Sequence, residues 1–474
     1  MVDVFLKIIL PVLELVGILT AIHAVMHGRT SQGAIAWGIS LVTIPFLALP
    51  LYAVFGRSKF KGYLLLRHGR EENVRRIIEQ CQWEAAEKEL IVKEDSGLNA
   101  ALTKLTPYPM TRFNQSRLLV DGARTFEAIF EGIAAAKQYV LVQSYLVRDD
   151  DLGRKLKSRL IEKARQNIRV YFLYDEIGSY QLPGHYLSIL RNAGVRVSAF
   201  HTTRGKANHF QLNFRNHRKI VIIDGQVAFV GGHNVGDEYL SRDPEIGPWR
   251  DTHVRVEGPV VKAIQFTFLQ DWYWSTTRVP HLDWNPRAAE QRNERQLLIA
   301  SGPADPVDTC ALMFTHLIHS ARERIWIASP YFVPDSQLLG ALKLAVLRNV
   351  DVRILLPAKA DNWTVHLASF SFFDQILPIG VKLYRYMRGF MHQKVLLVDA
   401  VLAGIGTANL DNRSLRLNFE LTLLNYDAGF ISEVETMLRN DLAHSRQVRL
   451  EEYTKRSFWF RLAVRFSRLL SPVL

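Results

Sequence analysis

An internal duplication is the feature of this sequence that most constrains its fold. Five blocks of residues occur twice, in the same order, with matching apolar positions. A chain that passes twice through the same pattern of short apolar runs folds into two copies of one unit, so we expect two related halves. The paired blocks begin at Ala136 and Ala321, Ile168 and Val350, Asn192 and Pro378, His217 and His392, and Trp249 and Asn418.

Short β-rich runs alternate with helical stretches inside each half, which is typical of a layered α/β fold. We expect mixed β-sheets flanked by helices, with the repeats near residues 115–275 and 300–445. The spacing of the matched blocks shifts by about eleven residues between Phe200 and His217, where the first repeat carries a basic insert. This insert either lines the entrance of a substrate site or is an ordinary surface loop.

The first 56 residues are predicted to anchor the chain in a membrane. The stretch from Thr30 to Gly56 contains no charged residue and exceeds the ~20 apolar residues that a spanning helix requires. The preceding stretch from Val4 to Met26 is also long enough, although it contains Lys7 and Glu14. We therefore expect two transmembrane helices joined by a tight turn.

The distribution of basic residues predicts the orientation of these helices. The loop between the two apolar stretches holds only Arg29, whereas basic residues crowd the end of the second stretch. Because basic residues concentrate on the cytoplasmic side, everything after residue 57 is predicted to be cytoplasmic, with the tight turn outside. The crowded residues are Arg57, Lys59, Lys61, Arg67 and Arg70.

The overall charge of the chain indicates an anionic partner. The net charge is +13, which suits either nucleic acid or an acidic lipid surface, and the charge alone does not choose between them. The two cysteines, Cys81 and Cys310, are far apart in sequence. Their number and spacing argue against a disulfide framework and a cysteine-ligated zinc site.

The most specific signal is an eight-residue motif that occurs once in each repeat. The first copy runs from His217 to Asp224 and the second from His392 to Asp399, each with a lysine two residues after the histidine. The β-branched content predicts a strand, so the histidine and the lysine project from the same face. Each motif is followed at the same distance by small residues and an asparagine, which let the backbone pass close to the site while the amide donates a hydrogen bond.

Two such motifs carry the groups that phosphodiester chemistry requires. One neutral imidazole can attack phosphorus and form a covalent phosphohistidine. A second, protonated imidazole can give its proton to the leaving alkoxide. Two lysines and two asparagines supply positive charge and N–H donors for the phosphate oxygens. This chemistry needs no cofactor and no metal ion.

The paired motifs resemble those of the phospholipase D superfamily, in which two repeats share one active site. The resemblance implies that His217 is the nucleophile and His392 the general acid and base, while Asp224 and Asp399 have a structural role near the hairpin turn. It also places a carboxylate that orients a histidine at Glu420, with Asp251 at the matching position of the first repeat. The predicted catalytic residues are His217, Lys219, Asp224, His392, Lys394 and Asp399, and the predicted phosphate-binding or supporting residues are Asn234, Asn409, Asp251 and Glu420.

The wider sequence is similar to the bacterial cardiolipin synthases of this superfamily. The similarity rests on SPYFVP at Ser329, GTANLDNRSLRLNFE from Gly406, the apolar amino-terminal region and the SPVL ending. One departure is Gly232, where many members of the superfamily have serine. The resemblance implies transfer of a phosphatidyl group between two phosphatidylglycerols at the inner membrane of a bacterium. The alternatives are a membrane-bound phospholipase D that uses water and a membrane-tethered nuclease or nucleic-acid-binding protein.

These features predict the partners and the domain boundaries. The expected partners are phosphatidylglycerol, other anionic phospholipids and the bilayer, and no nucleic acid is expected; a homo-oligomer is compatible with the sequence. The final segment mixes basic and aromatic residues, which suits either a helix in the membrane interface or a packed terminal helix. The predicted units are a two-span anchor (1–56), a juxtamembrane helical connector (57–105), the first repeat (106–285), the second repeat (286–450) and an interfacial helix (451–474).

Overall fold

The computed structural model describes residues 9–56, 60, 63, 71–93, 97–201 and 213–473. They form an amino-terminal group of apolar helices and a larger α/β body. Most of the predicted insert, residues 202–212, lies outside the described residues. The basic residues that crowd the end of the second apolar stretch also lie outside them.

The described residues of the amino-terminal apolar region form three helices. Helix α1 (Leu10–His27) is followed by α2 (Ser31–Thr43) and α3 (Pro45–Phe55). Among the described residues, only α1 is long and apolar enough to cross a membrane. The second predicted span, residues 30–56, is not one continuous helix, because the chain leaves helical geometry at Ile44, where φ is −136° and ψ is 59°.

The body is built on one large mixed sheet. Its strand order is β20-β14-β13-β11-β16-β17-β19-β10-β1-β9-β7-β6-β2-β3-β4, and β5 joins it at β19. The remaining strands form two short pairs, β12 with β18 and β15 with β8. The strands are β1 (Thr111–Val120), β2 (Tyr139–Ser144), β3 (Arg169–Asp175), β4 (Arg196–Phe200), β5 (Arg215–Asn216), β6 (Ile220–Ile223), β7 (Val227–Gly231), β8 (Trp249–Arg250), β9 (Thr252–Glu257), β10 (Glu294–Ser301), β11 (Arg324–Ala328), β12 (Phe332–Val333), β13 (Asp351–Pro357), β14 (Lys382–Tyr386), β15 (Phe390–Met391), β16 (Val395–Val398), β17 (Leu402–Gly406), β18 (Leu410–Asp411), β19 (Asn418–Asn425) and β20 (Ser445–Gln447).

Helices pack on both faces of this sheet. Amphipathic periodicity explains most of them, since their apolar stripes are the residues buried against the strands. The helices of the body are α4 (Glu71–Glu87), α5 (Leu98–Lys104), α6 (Asp121–Ala135), α7 (Asp151–Arg165), α8 (Gly184–Asn192), α9 (Val260–Thr276), α10 (Thr309–Ser320), α11 (Ser336–Leu347), α12 (Trp363–Phe370), α13 (Phe373–Ile376), α14 (Asn412–Arg416), α15 (Ala428–Ala443), α16 (Glu451–Thr454) and α17 (Phe458–Leu469).

The predicted duplication is visible in the sheet. Strands β1 and β10 lie side by side at the centre, antiparallel, and the order outward from each is the same. From β1 the order is β9-β7-β6-β2-β3-β4, and from β10 it is β19-β17-β16-β11-β13-β14. The two halves are therefore related by a pseudo-twofold axis between β1 and β10, and the motif strands β6 and β16 occupy equivalent positions.

The chain that follows the apolar helices is fastened to the body close to their end. Phe60 is fully buried, and its backbone N–H donates to the carbonyl of Pro303 at 3.1 Å. The Phe60 ring packs against those of Phe214, Trp274 and Phe419 at centroid distances between 4.9 and 5.8 Å. Packing of Phe60 among these rings holds the chain that follows α3 beside the strands that lead to the motif histidines.

Candidate active site at the interface of the two repeats

Two-residue strands place each motif histidine against the other repeat. Strand β5 pairs in parallel with β19, and β15 pairs in parallel with β8. The backbone N–H of His217 continues the first ladder by donating to the Phe419 carbonyl at 2.9 Å. The N–H of His392 continues the second by donating to the Arg250 carbonyl at 2.8 Å. Each histidine thus lies beside the residue that follows its acceptor, and in both repeats that residue is a carboxylic acid.

The carboxylate of one repeat holds the imidazole of the other. The Nδ1 atom of His217 is 3.0 Å from each carboxylate oxygen of Glu420. The Nδ1 atom of His392 is 2.7 Å from Oδ2 of Asp251. A carboxylate on Nδ1 keeps the proton there and directs Nε2 away from it, so Nε2 is the atom presented for chemistry. The sequence identified both carboxylates but not that the pairs cross between repeats.

Hydrogen-bond donors fix the two carboxylates. Glu420 is fully buried and Asp251 equally so, and a buried carboxylate is stable only when donors surround it. Glu420 accepts from the Thr407 hydroxyl at 2.5 Å, the Ser414 hydroxyl at 2.8 Å and the Asn418 amide at 3.2 Å. Asp251 accepts from the Thr252 backbone N–H at 2.8 Å and the Trp249 indole N–H at 3.4 Å.

This arrangement explains why residue 232 is glycine, where many members of the superfamily have serine. A Cβ atom at Gly232 would lie only 2.0 Å from Oδ1 of Asp251, so no side chain fits there. In the second repeat the equivalent residue, Thr407, supplies a hydroxyl to Glu420 instead. The first repeat therefore has glycine beside the shorter side chain of Asp251, whereas the second has a threonine hydroxyl beside the longer side chain of Glu420.

The two motif lysines complete a buried group of four titratable side chains. The ammonium of Lys219 donates to the His217 carbonyl at 2.7 Å, and that of Lys394 lies 2.8 Å from Nδ1 of His392. All four side chains are buried. The charge of Lys394 lowers the pKa of His217, and the charge of Lys219 lowers the pKa of His392, although burial is the larger cause in both histidines. The two motifs therefore form one site.

Burial favours the uncharged form of each of these groups. It lowers the pKa of His217 to about 4, against the opposing effect of Glu420, and lowers that of His392 well below its usual value. It also lowers the pKa of Lys394 to about 8 and that of Lys219 well below its usual value. A phosphate anion among these groups would favour their charged forms, because opposite charges raise the pKa of a base. The site is thus suited to a neutral nucleophilic imidazole and to a histidine that gains its proton when the substrate is bound.

Asp224 and Asp399 occupy matching positions away from the imidazoles. Asp224 accepts hydrogen bonds at 2.8 Å from the backbone N–H groups of three consecutive residues, 137–139. Asp399 does the same with residues 322–324 at 2.8–3.0 Å. Both residues have positive φ, 53° and 51°, at the turn between the motif strand and the next strand. We propose that these two aspartates fix the turn and the start of a neighbouring strand and take no part in the reaction.

The two asparagines lie at the ends of the strands that follow the motifs. The amide nitrogen of Asn234 donates to the Tyr239 hydroxyl at 2.5 Å, and that of Asn409 donates to Asp411 at 3.2 Å. Both asparagines are buried. Each amide carries a second N–H, and we propose that this N–H donates to the phosphate.

Sequence reasoning missed one aromatic residue of the site. The Tyr145 ring packs edge-on against the His217 imidazole, with centroids 4.9 Å apart, and Nζ of Lys219 lies 5.3 Å from the centre of the same ring. Tyr145 follows strand β2 in the block that matches Ser329–Pro330–Tyr331. The repeated tyrosine in the two copies of this block was the available signal. Within the described part of the chain, no group of three or more His, Cys, Asp or Glu side chains is arranged to hold a metal ion.

The depressed histidine pKa values predict a loss of stability in acid. Burial lowers the pKa of His233 and His253 to about 3, and of His217 to about 4, while an unfolded histidine titrates near 6.5. As the pH falls below about 6.5 the unfolded chain takes up protons that the folded chain does not, so folding stability falls. Each such histidine can remove up to roughly 2 kcal/mol between pH 6.5 and 5.

Thermal unfolding of the detergent-solubilised protein at pH 7.5 and pH 5 measures this effect. We expect a lower Tm at pH 5, and a smaller decrease in His253→Gln, which removes one buried imidazole. The matched control is His319→Gln at an exposed histidine, which should leave the decrease unchanged. An unchanged or higher wild-type Tm at pH 5, or an equal decrease in His253→Gln, would contradict the expectation.

Comparison with known proteins agrees with this site. The family described as "Cardiolipin synthase, PLD-like domain" matches residues 129–272 and 314–442, one segment in each repeat. "Cardiolipin synthase A" of Pseudomonas fluorescens is 48% identical over 469 residues, covering 98% of both chains. The protein of the same name from Pseudomonas entomophila is 46% identical over 473 residues, covering 99% of this chain and 98% of the other.

A solved structure shares the fold. The crystal structure of phosphatidylserine synthase from Haemophilus influenzae superposes with a TM-score of 0.60, covering 80% of this chain and all of that one, at 15% sequence identity. At that identity the likeness concerns the fold alone. The family match over both repeats and the near-complete relatives carry the assignment: this chain belongs to the cardiolipin synthase family of phospholipase D-like proteins.

Proposed function

We propose that this protein is a cardiolipin synthase that transfers the phosphatidyl group of one phosphatidylglycerol to a second, giving cardiolipin and glycerol. The observation that carries the proposal is the pair of buried imidazoles, each held by a carboxylate of the other repeat. One imidazole can attack phosphorus while the other handles the proton. The relatives named cardiolipin synthase A, which align over nearly the whole chain, support the choice of substrates.

The first half-reaction makes a covalent intermediate. Nε2 of His217 attacks phosphorus of the donor phosphatidylglycerol, and the bond from phosphorus to the head-group glycerol oxygen breaks. The glycerol oxygen leaves with the electron pair and takes a proton from Nε2 of His392. The Glu420 carboxylate, 3.0 Å from Nδ1 of His217, stabilises the positive charge that develops on that imidazole.

The second half-reaction regenerates the enzyme. A head-group hydroxyl of the second phosphatidylglycerol gives its proton to His392 and attacks the phosphorus held on His217. The bond from phosphorus to Nε2 breaks, and its electron pair returns to the imidazole. One phosphodiester is broken and one is made overall, so the reaction needs no nucleotide.

The lysines and asparagines stabilise the transferring phosphate. Charge grows on the non-bridging oxygens in the transition state, and donors fixed in a buried site stabilise it more than water does. Lys219 and Lys394 carry this role together with Asn234 and Asn409. Both lysines are buried beside the motif histidines, which supports the assignment.

The membrane is the second part of the proposal. Residues 1–56 anchor the chain, residues 57–105 connect the anchor to the body, the repeats of residues 106–285 and 286–450 form the catalytic body on the cytoplasmic side, and residues 451–474 lie in the interface. Helix α17 supports this placement, because Trp459 is 75% exposed and Phe466 is 63% exposed on a helix that also carries three arginines. Exposed aromatic and basic side chains on one helix favour the surface of an anionic membrane.

Expression in a bacterial strain that makes no cardiolipin tests the function in a membrane. Lipid extracts should contain cardiolipin when the wild-type chain is expressed and none with an empty vector or with His217→Ala. Phosphatidic acid in place of cardiolipin would identify a hydrolase and overturn the proposal. Absence of both, with the protein present in the membrane fraction, would also overturn it.

A further inference from the structure

The two repeats differ in the residues that surround the catalytic histidines and lysines, which we call the rim of the site. Arg215 stands two residues before His217, whereas the equivalent position before His392 is Phe390. Arg413 stands four residues after Asn409, whereas the equivalent residue of the first repeat is Glu238. The two residues at the equivalent positions have local roles. Phe390 packs against Trp249 with ring centroids 4.9 Å apart, and Glu238 forms an ion pair with Arg148 at 2.7 Å. Both arginines therefore lie on one side of the pseudo-twofold axis.

Local geometry places these arginines beside the nucleophile. Arg215 begins the two-residue strand β5, two residues before His217, whose backbone N–H continues the ladder to Phe419. Arg413 donates to the Asn213 carbonyl at 2.6 Å and to its amide oxygen at 3.0 Å, which fixes the chain that leads into β5. Both arginines are half-buried, whereas the catalytic histidines and lysines are buried, so the arginines form the next layer outward.

The two guanidinium groups are electrostatic neighbours. The pKa of Arg413 is lowered, first by burial and then by the positive charge of Arg215. Burial raises the pKa of the Tyr145 hydroxyl, and both arginines oppose this effect. The ring of Tyr145 packs against His217. The two positive charges repel, the carboxylates of Asp175 and Asp411 offset part of that repulsion, and an anion bound between the guanidinium groups would offset more of it.

Two other buried arginines near the site bind carboxylates of the protein. Arg218 donates to both oxygens of Asp271 at 2.9 Å. Arg250 donates to the two oxygens of Asp441 at 2.9 and 3.2 Å. These ion pairs buttress the repeats, and the motif lysines serve the reacting phosphate. Arg215 and Arg413 differ from them in being half-buried rather than buried.

We propose that Arg215 and Arg413 bind the phosphodiester of the acceptor lipid, the phosphate that is not attacked. The proposal rests on the proposed function, in which the acceptor is a second phosphatidylglycerol. The attacking hydroxyl and the acceptor's own phosphate lie at the two ends of one glycerol unit. When the hydroxyl reaches the phosphohistidine, that phosphate must lie one glycerol length away, at the rim. Guanidinium groups suit it because their paired N–H donors match two phosphate oxygens.

This subsite would select lipid over water as the acceptor. Water and simple alcohols carry no phosphate, so they gain nothing from the two arginines. A phosphatidylglycerol held by its phosphate presents its hydroxyl at high effective concentration. The pair therefore favours transfer over hydrolysis.

Partition between two acceptors tests the subsite. Wild type, Arg413→Gln and Arg215→Gln receive phosphatidylglycerol in detergent micelles with and without ethanol, and cardiolipin and phosphatidylethanol are quantified. We expect cardiolipin formation to fall roughly 10- to 100-fold, as for loss of a charged hydrogen bond, while phosphatidylethanol formation changes little. Arg413→Lys, which keeps the charge but not the paired N–H donors, should recover part of the cardiolipin activity lost in Arg413→Gln, and Arg165→Gln at the exposed end of α7 should match wild type.

The outcomes separate the subsite from the reaction itself. Equal loss of both products in both glutamine variants would assign the arginines a structural role and overturn the subsite. Unchanged cardiolipin formation in both variants would overturn it as well. A wild type that makes phosphatidylethanol but no cardiolipin would contradict the proposed function instead.

A separate observation concerns the path of the chain through the membrane. Helix α2 runs antiparallel to α1, and α3 turns back to run parallel to it. At one end, Gly17 of α1 faces both Leu41 and Pro45, where a Cβ atom would lie 2.3 Å from the Leu41 carbonyl oxygen and 3.0 Å from the Pro45 Cβ. At the other, Nδ1 of His23 is 2.9 Å from the Tyr52 hydroxyl. Helices α2 and α3 thus form a helical hairpin that turns at residues 44–45.

Both ends of this hairpin lie on the side of the body. Only four residues separate the end of α3 at Phe55 from Phe60, which is buried in the body. The turn between α1 and α2 lies at the same end as Phe55, because Trp37 of α2 packs against Tyr52 of α3 with ring centroids 5.1 Å apart. Arg29 in this turn lies within electrostatic range of Arg416, Asp308 and Asp335 of the body. Those three body residues belong to one cluster, in which Arg416 donates to Asp308 at 2.9 Å and to Asp335 at 2.6 Å.

We infer that residues 10–55 cross the membrane once, through α1, and that α2 and α3 form a re-entrant hairpin. At 1.5 Å per residue the 18 residues of α1 span about 27 Å, close to the ~30 Å hydrocarbon core, whereas the 13 residues of α2 reach about 20 Å and the 11 of α3 about 17 Å. The break is tolerable inside a bilayer because Pro45 has no N–H and the Ile44 N–H donates to the Ser40 carbonyl at 2.9 Å. This path also puts Arg29 on the same side as the basic residues after position 56, as the positive-inside rule favours.

Labelling from one side of the membrane tests this path. In intact spheroplasts, an epitope tag placed before residue 1 should be accessible from outside, whereas a thiol introduced by Ser31→Cys should react with an impermeant maleimide only after lysis. The native Cys81 and Cys310 are buried, and the tagged chain without the Ser31→Cys substitution gives their background. A protected tag, with the thiol at position 31 labelled from outside, would support two spans and overturn the inference. Protection of both would show that α1 does not cross and would overturn it too.

Discussion

Replacing His217 with alanine is expected to abolish turnover and the covalent intermediate together. His217 supplies the atom that bonds to phosphorus in the proposed mechanism, and its Nδ1 is already held by Glu420. Removal of a nucleophile in comparable two-step enzymes costs roughly 10⁴-fold or more. The measurement is cardiolipin formed from phosphatidylglycerol by the purified variant, together with mass spectrometry for a phosphatidyl adduct on the protein.

Two variants make this result specific. His217→Asn can keep a hydrogen bond to Glu420 without a nucleophilic nitrogen, so it should be as inactive as His217→Ala while folding normally. His185→Ala, at an exposed histidine on α8, should match wild type. A labelled lipid found on His392 in the His217→Ala protein would show that the roles of the two histidines are reversed.

Replacing His392 with asparagine is expected to separate the two half-reactions. The nucleophile remains, so the phosphatidyl-enzyme can still form slowly, but neither the leaving glycerol nor the acceptor hydroxyl has its proton donor or acceptor. Positioned acid or base catalysis contributes ~10²–10⁴-fold, and turnover should fall by that range. A phosphatidyl adduct on the peptide that contains His217 should then persist long enough to be isolated.

The companion variant removes only the orienting carboxylate. Asp251→Asn leaves His392 in place but loses the charge 2.7 Å from its Nδ1, so turnover should fall less than in His392→Asn. If His392→Asn turned over at the wild-type rate, or if Asp251→Asn were the more damaged of the two, His392 would not be the acid and base of the reaction.

The sequence predicted those parts of the structure that depend on repetition and side-chain alternation. The duplication appears as the same strand order on both sides of β1 and β10, and the motif strands appear as β6 and β16, although each begins only after the motif histidine and lysine. These features follow from local patterns, which a single sequence contains. The family resemblance then narrowed the chemistry to phosphatidyl transfer.

The pairing of each histidine with a carboxylate of the other repeat could not be predicted from such local patterns. Glu420 follows His392 in the chain, so proximity in sequence suggests that they act together, whereas Glu420 holds His217 and Asp251 holds His392. The crossing depends on the short ladders of β5 with β19 and of β15 with β8, which join residues about 140–200 positions apart. Long-range pairing of two-residue strands leaves no periodic signal in the sequence.

The break within the second predicted span was missed for a different reason. Residues 30–56 are uncharged throughout, and apolar length alone does not distinguish a straight helix from a helical hairpin. The break at Ile44 precedes Pro45, and proline disfavours helical geometry in the residue before it. Pro45 was therefore the available signal, and the contacts of Gly17 and Tyr52 with the neighbouring helices give the direction of the return.

Product analysis with one pure lipid tests the central claim most directly. Purified protein in detergent is mixed with phosphatidylglycerol labelled in its head-group glycerol, and all products are identified by mass spectrometry. We predict one cardiolipin and one free glycerol for every two phosphatidylglycerols consumed, with half of the label retained in cardiolipin. Phosphatidic acid and glycerol in equal amounts, with no cardiolipin, would contradict it.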